Sequence, residues 1–191
     1  MNSNRLSLGS VLNGQGLFTT RELVIIGLFS AAAKASSLML ALVGGGMNPA
    51  TLILKSAVHS ALLVVLLAKT PRTGALTLSN IIGILLSFLL MGQHVISLPA
   101  IVAATLLVET AAWLGGGLEH KPWLAIPMVA ASELLVRFVN VGVAYLGVRE
   151  QPGLMVMVVA VSAFSYLGIL LGLVLGRRMT KELRHAGLIQ D

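Results

Sequence analysis

Five ionisable residues stand in stretches that are otherwise apolar: Lys34, Lys55, Glu109, Glu133 and Arg137. A charge at the centre of a membrane helix costs roughly 2.5–3.5 kcal/mol on insertion scales, so each of them needs a partner, a cavity or an interface. Glu133, Arg137 and Asn140 recur at i, i+4 and i+7 and share one helical stripe. The glutamate precedes the arginine, the favourable order for an i, i+4 pair, so a purely structural ion pair and a ligand-contacting stripe both fit. Lysine side chains lean toward the N-terminus of their own helix. On a helix that starts outside, Lys55 leans toward the nearer surface, and snorkelling and function explain it equally well. On a helix that starts inside, Lys34 leans away from the nearer surface, and a cavity is the better explanation. Glu109 lies apart from these and reads as structural or coupling. Lys34, Lys55 and Arg137 against Glu133 leave a surplus of two positive charges, and in one shared cavity an anionic group is their natural occupant. Asn140 and His94 would add neutral hydrogen bonds.

These residues sit in a chain of 191 residues that is 57% hydrophobic and only 10% charged, where soluble domains carry roughly 25% charged residues. So few charges cannot cover a water-facing surface, and a mean hydropathy of +0.94 points to helices that satisfy their backbone internally within a bilayer. The fold class expected is all-α, a polytopic six-helix transmembrane bundle.

The helices are placed by their breakers and caps. After a polar tail over 1–20, helix one runs from Arg21 to Val43 and stops at Gly44-Gly45-Gly46. Asn48-Pro49 caps helix two, which continues to Ala68. The uncharged run from Thr73 to Val108 is too long for one span and divides at Gly92-Gln93-His94 into Thr73–Met91 and Val95–Leu114. Helix five follows the loop from Gly115 to Pro122 and reaches Leu146, and helix six covers Leu154 to Gly176. The transmembrane domain is therefore 21–176, with a basic tail over 177–191.

An even number of spans puts both ends on one side. That side holds nine cations (Arg5, Arg21, Lys69, Arg72, Lys121, Arg177, Arg178, Lys181 and Arg184) against Arg149 opposite, so both termini are expected to be cytoplasmic. The formal charge of +6 thus reports orientation before any partner, and no nucleic acid is expected. Leu23 to Ala33 also has the apolar run and small residues of a cleavable leader, but cleavage would leave five helices and spoil the asymmetry.

The chemistry excluded is broad. There is no cysteine, no phosphate loop, no G-x-S-x-G and no H-E-x-x-H, and the only aspartate is Asp191. Histidines 59, 94, 120 and 185 form no i, i+4 pair, which leaves a metal site only by long-range convergence. The chain is not expected to be an enzyme, and no cofactor or metal is called for. Any ATP energy would come from a partner.

Small residues recur every fourth position at Gly27, Ala31 and Ala35 on helix one and at Gly168, Gly172 and Gly176 on helix six. Such faces allow close helix approach. For helix six packing inside the bundle is the better reading; for helix one, contact with a partner.

The six helices, the absent ATPase motif and the Ala31-x-x-x-Ala35 stripe resemble the substrate-binding S component of an energy-coupling factor (ECF) transporter. Gly74-Ala-Leu-Thr-Leu through Gly83-Ile-Leu-Leu-Ser-Phe-Leu-Leu-Met-Gly92-Gln-His94, the following Leu-Leu-Val-Glu109, and Arg177-Arg-Met-Thr-Lys-Glu-Leu-Arg184 resemble more narrowly its MptD-like, or Trep_Strep, group. The resemblance implies a vitamin or related micronutrient captured from outside in the outer half of a protein of the prokaryotic cell membrane. It also implies a transmembrane coupling subunit, met by Ala31 and Ala35, and two cytoplasmic ATPases. Nickel and cobalt members carry a histidine close to the N-terminus; here the second residue is Asn2, which argues against those metals. The rival reading is a self-sufficient secondary transporter or channel acting as an oligomer, with Glu133 or Glu109 as its proton site, although no internal repeat supports it.

Overall fold

The computed structural model describes residues 18–45, 48–91, 98–115, 124–148 and 151–187, and every described element is helical. The six helices are α1 (Thr20–Gly44), α2 (Pro49–Lys69), α3 (Ala75–Met91), α4 (Leu98–Leu114), α5 (Ala125–Val148) and α6 (Pro152–His185). Local signals fix many of their starts. Thr19 and Glu22 form a reciprocal capping box on α1, and the Asn48 side chain accepts from the Ala50 amide at the start of α2. Pro49, Pro99, Pro127 and Pro152 lie in the first turns of their helices, where the missing N–H removes no intrahelical bond. Gly74, at φ +94°, sets the corner that delays α3 to Ala75, two residues beyond the expected start.

The expected helix bounds match α1 to α5 within a few residues, with 95–97 outside the described residues. Helix six differs. It runs without a break through the basic segment to His185, so the stretch read as a tail is helical over most of its length. At 1.5 Å per residue its 34 residues reach about 51 Å, well beyond a bilayer core of about 30 Å. Four helices (α1, α2, α5 and α6) are long and apolar enough to cross a membrane, while α3 and α4 have 17 residues each, at the short end of the spanning range.

Central to the bundle is α2, which packs on α1, α5 and α6. Its most extensive partner is α6, and the glycine stripe is the reason. A methyl group at Gly168 would meet the Ile53 backbone, one at Gly172 would meet Ser60 and Ala57, and one at Gly176 would meet Val64 and Ala61. The two helices run parallel in close contact, and the Ser60 hydroxyl crosses the seam to the Ile169 carbonyl at 3.2 Å.

The two halves of the bundle differ in kind. Ile26, Leu63, Leu66, Leu67, Leu76, Val108, Val129 and Ile169 form a closed apolar cluster from all six helices. They belong to the early turns of α1, α3 and α5, the later turns of α2 and α4 and the middle of α6. At that same end Arg72 pairs with Glu22 at 3.0 Å, tying the α2–α3 corner to the start of α1. The opposite half is polar inside.

Candidate functional site

Polar residues in that second half are arranged by helical spacing. On α1, Ser30, Lys34 and Ser37 repeat at i, i+4 and i+7; on α2, Lys55, Ser56 and His59 share a face; on α3, Ser79, Gly83 and Ser87 recur every fourth residue; on α5, Glu133, Arg137 and Asn140 do the same work. All twelve line one cavity of about 210 Å³, which Ile101 of α4 also touches. At about 30 Å³ per water this is room for roughly seven waters, the scale of a compact small molecule. Leu63 and Leu66 belong both to its wall and to the apolar cluster, so the cavity is stopped toward the cationic end of the bundle.

Lys34, Lys55, Glu133, Arg137 and Asn140, singled out by the sequence, therefore come together. The leaning argument separates the two lysines less than expected, since Lys55 lines the same cavity as Lys34. His94 lies outside the described residues. Gly83 is the packing partner of Lys34: a methyl group placed there would stand 3.0 Å from the Lys34 Cε. Absence of a side chain at position 83 thus lets the lysine stem lie along α3.

The charges are only partly matched. Glu133 Oε1 lies 3.4 Å from His59 Nε2, and its Oε2 lies 3.6 Å from an Arg137 guanidinium nitrogen. The second distance exceeds hydrogen-bond range, so the i, i+4 pair is loose rather than a closed fork. Arg137 Nε is buried without a hydrogen-bond partner among the described residues, and neither Lys34 nor Lys55 has a carboxylate within 4.0 Å among them. Serines soften the floor: the Ser30 hydroxyl is 2.9 Å from that of Ser79, linking α1 to α3. Among the described residues three cations face one carboxylate in this cavity, and their surplus charge can hold an anionic group through charge-assisted hydrogen bonds.

Histidine 59 was missed at the sequence level. Its position one turn after Lys55 is the signal that marks it, and spacing among the histidines alone does not carry that signal. The polar stripes of α1 and α3 were equally legible as serines at helical spacing inside apolar helices.

Glu109 is accounted for differently. Its Oε1 accepts from the Leu76 and Thr77 amides at 2.9 and 3.2 Å, and its Oε2 accepts the Thr77 hydroxyl at 2.7 Å. It caps the first turn of α3 from a neighbouring helix, satisfying donors that an apolar setting would leave without partners. The structural reading of Glu109 agrees with this geometry, and the residue stands apart from the cavity.

On α1, Ala31 and Ala35 are exposed on the outer surface, and a methyl group at Gly27 would meet nothing within 4 Å. This stripe, unlike that of α6, is not packed within the bundle.

With every described element helical, four of the described helices long and apolar enough to span, an apolar exterior and a cationic cavity, this is an integral membrane protein of the multi-pass kind. Comparison with protein families carries this further: residues 20–141 match the family described as "Hypothetical bacterial integral membrane protein (Trep_Strep)", and the chain belongs to that family. The matched segment contains every described residue that lines the cavity. Neither the curated proteins nor the solved structures include a match.

Proposed function

We propose that this protein is the membrane-embedded substrate-binding subunit of an ATP-driven importer of the ECF type, capturing a compact, acidic micronutrient from outside. The observation that carries the reading is the cavity: Lys34, Lys55 and Arg137 face Glu133, the one carboxylate lining it among the described residues, in the half of the bundle away from the cationic end. With all six helices spanning and both termini cytoplasmic, that half opens outward and the apolar cluster closes it from the cytoplasm. In this reading Lys34, Lys55 and Arg137 bind the acidic group, while Asn140, His59 and the cavity serines orient the remainder. Glu133 keeps Arg137 and His59 in place.

Energy enters from other subunits. The exposed Ala31 and Ala35, with open space beside the half-buried Gly27, support a close-packed contact with a transmembrane coupling subunit, to which two cytoplasmic ATPases attach. The prokaryotic cell membrane is the site of action.

The test has two steps. Mass spectrometry of small molecules released from the purified protein is expected to find a stoichiometric acidic compound; a cationic one would overturn the charge argument. Uptake of that compound into vesicles holding the chain and candidate coupling and ATPase subunits is then expected to require ATP. Uptake by the chain alone, driven by a proton gradient, would instead establish a secondary transporter. In that event the His59–Glu133 contact is the proton site, because Glu109 is committed to the α3 amides.

A further inference from the structure

Close packing of α2 and α6 ends at Gly176, and the geometry beyond it is different. The run from Leu154 to Gly176 carries no charge, and the first cation, Arg177, follows directly. Beyond that point α2 is within two turns of its end at Lys69, whereas α6 continues to His185. The overhang leaves a groove between the late part of α6, the end of α2 and the start of α5. Its α6 wall is Val174, Arg177, Arg178, Lys181 and Arg184, at i, i+3, i+4, i+7 and i+10, one face of the helix. Its other wall is apolar: Val64, Ala68, Ala125 and Ile126. No carboxylate lines it among the described residues, and Arg177, Arg178 and Lys181 are exposed.

We propose that this groove binds an anionic phospholipid from the adjoining leaflet, its phosphate held by Arg177, Arg178 and Lys181 and its acyl chain laid along Val174, Ala68 and Ile126. Two features select a lipid over a free anion. The cations begin where the apolar run of α6 ends, at the depth of a headgroup, and the apolar wall continues from them toward the bilayer interior. Like charges stacked on one helix face repel, and a phosphodiester placed among them removes that repulsion while it gains charge-assisted hydrogen bonds. The site is distinct from the cavity and does not depend on the importer reading.

Native mass spectrometry of the full-length protein in neutral detergent provides the test, with dioleoyl phosphatidylglycerol as probe and dioleoyl phosphatidylcholine as the matched zwitterion. We expect one phosphatidylglycerol retained at least about tenfold more tightly than phosphatidylcholine, and not displaced by excess inorganic phosphate. The R177Q/R178Q/K181Q variant should lose about a hundredfold in affinity, each cation near an anionic headgroup being worth about fivefold. K69Q, which removes one charge from the same end but outside the groove, should bind as the wild type does. Equal retention of the two lipids by the wild-type protein overturns the proposal without any variant. So do displacement by phosphate, a loss in K69Q equal to that in R178Q, and a dimer forming in place of the lipid adduct.

Discussion

Thr77 on α3 gives both its backbone amide, at 3.2 Å, and its hydroxyl, at 2.7 Å, to the carboxylate of Glu109 on α4. One buried side chain thereby joins two helices that local sequence cannot relate, and supplies the cap that α3 lacks in its own sequence after the Gly74 corner. Glu109→Ala should strand the Leu76 and Thr77 donors, each costing about 1–3 kcal/mol when buried and unpaired, for a total loss of at least about 2 kcal/mol. Glu109→Gln retains one acceptor oxygen and should lose about half as much. Denaturant titration of the detergent-solubilised protein measures both, and equal stability of Glu109→Ala and wild type would remove the cap from the account.

Lys34→Met should weaken binding of the co-purified acidic ligand by about 1.5–3 kcal/mol, the contribution of a hydrogen bond to a charged group. Because Lys55 lines the same cavity, Lys55→Met should fall in the same range rather than leave affinity unchanged, as a snorkelling side chain would. Calorimetric titration of the two variants decides between these readings.

Gly83→Val tests the lysine's position without altering its charge. With the Lys34 Cε already at the limit for a methyl at 83, a larger group must displace the lysine stem. Affinity for the same ligand should drop about tenfold or more, which corresponds to 1.4 kcal/mol or more. The control is Gly27→Ala, where the added methyl meets open space and binding should not change.

The two small-residue stripes should respond in opposite ways. Gly172→Leu forces a side chain into Ala57 and Ser60 and should destabilise the isolated chain by about 1–3 kcal/mol or prevent folding, as overpacking does. Ala35→Leu and Ala31→Leu lie on an exposed face and should leave the thermal midpoint and ligand affinity of the isolated chain unchanged while blocking assembly with a coupling subunit. Co-purification of the tagged subunits reads out assembly; a loss of stability in Ala35→Leu alone would mean that the stripe packs internally.

What the sequence determined by itself was everything carried by local physics. Breakers and caps such as Asn48-Pro49 and the Gly44-Gly45 pair placed the helices, because the orphan backbone groups of a helix end must be met nearby. Apolar composition set the class, and the price of a buried charge marked Lys34, Lys55, Glu133 and Arg137 as residues needing a common explanation. Glycines at every fourth position announced a close helix contact, yet not which helix would fill it. Only the tertiary structure decided that α6 meets α2 through Gly168, Gly172 and Gly176 while the α1 stripe stays open, that Glu109 serves α3 rather than the cavity, and that His59 reaches Glu133 across two helices. Each of these is a long-range pairing between faces that are equally good in isolation, and no periodicity within a single helix specifies the rotation that brings one face to another.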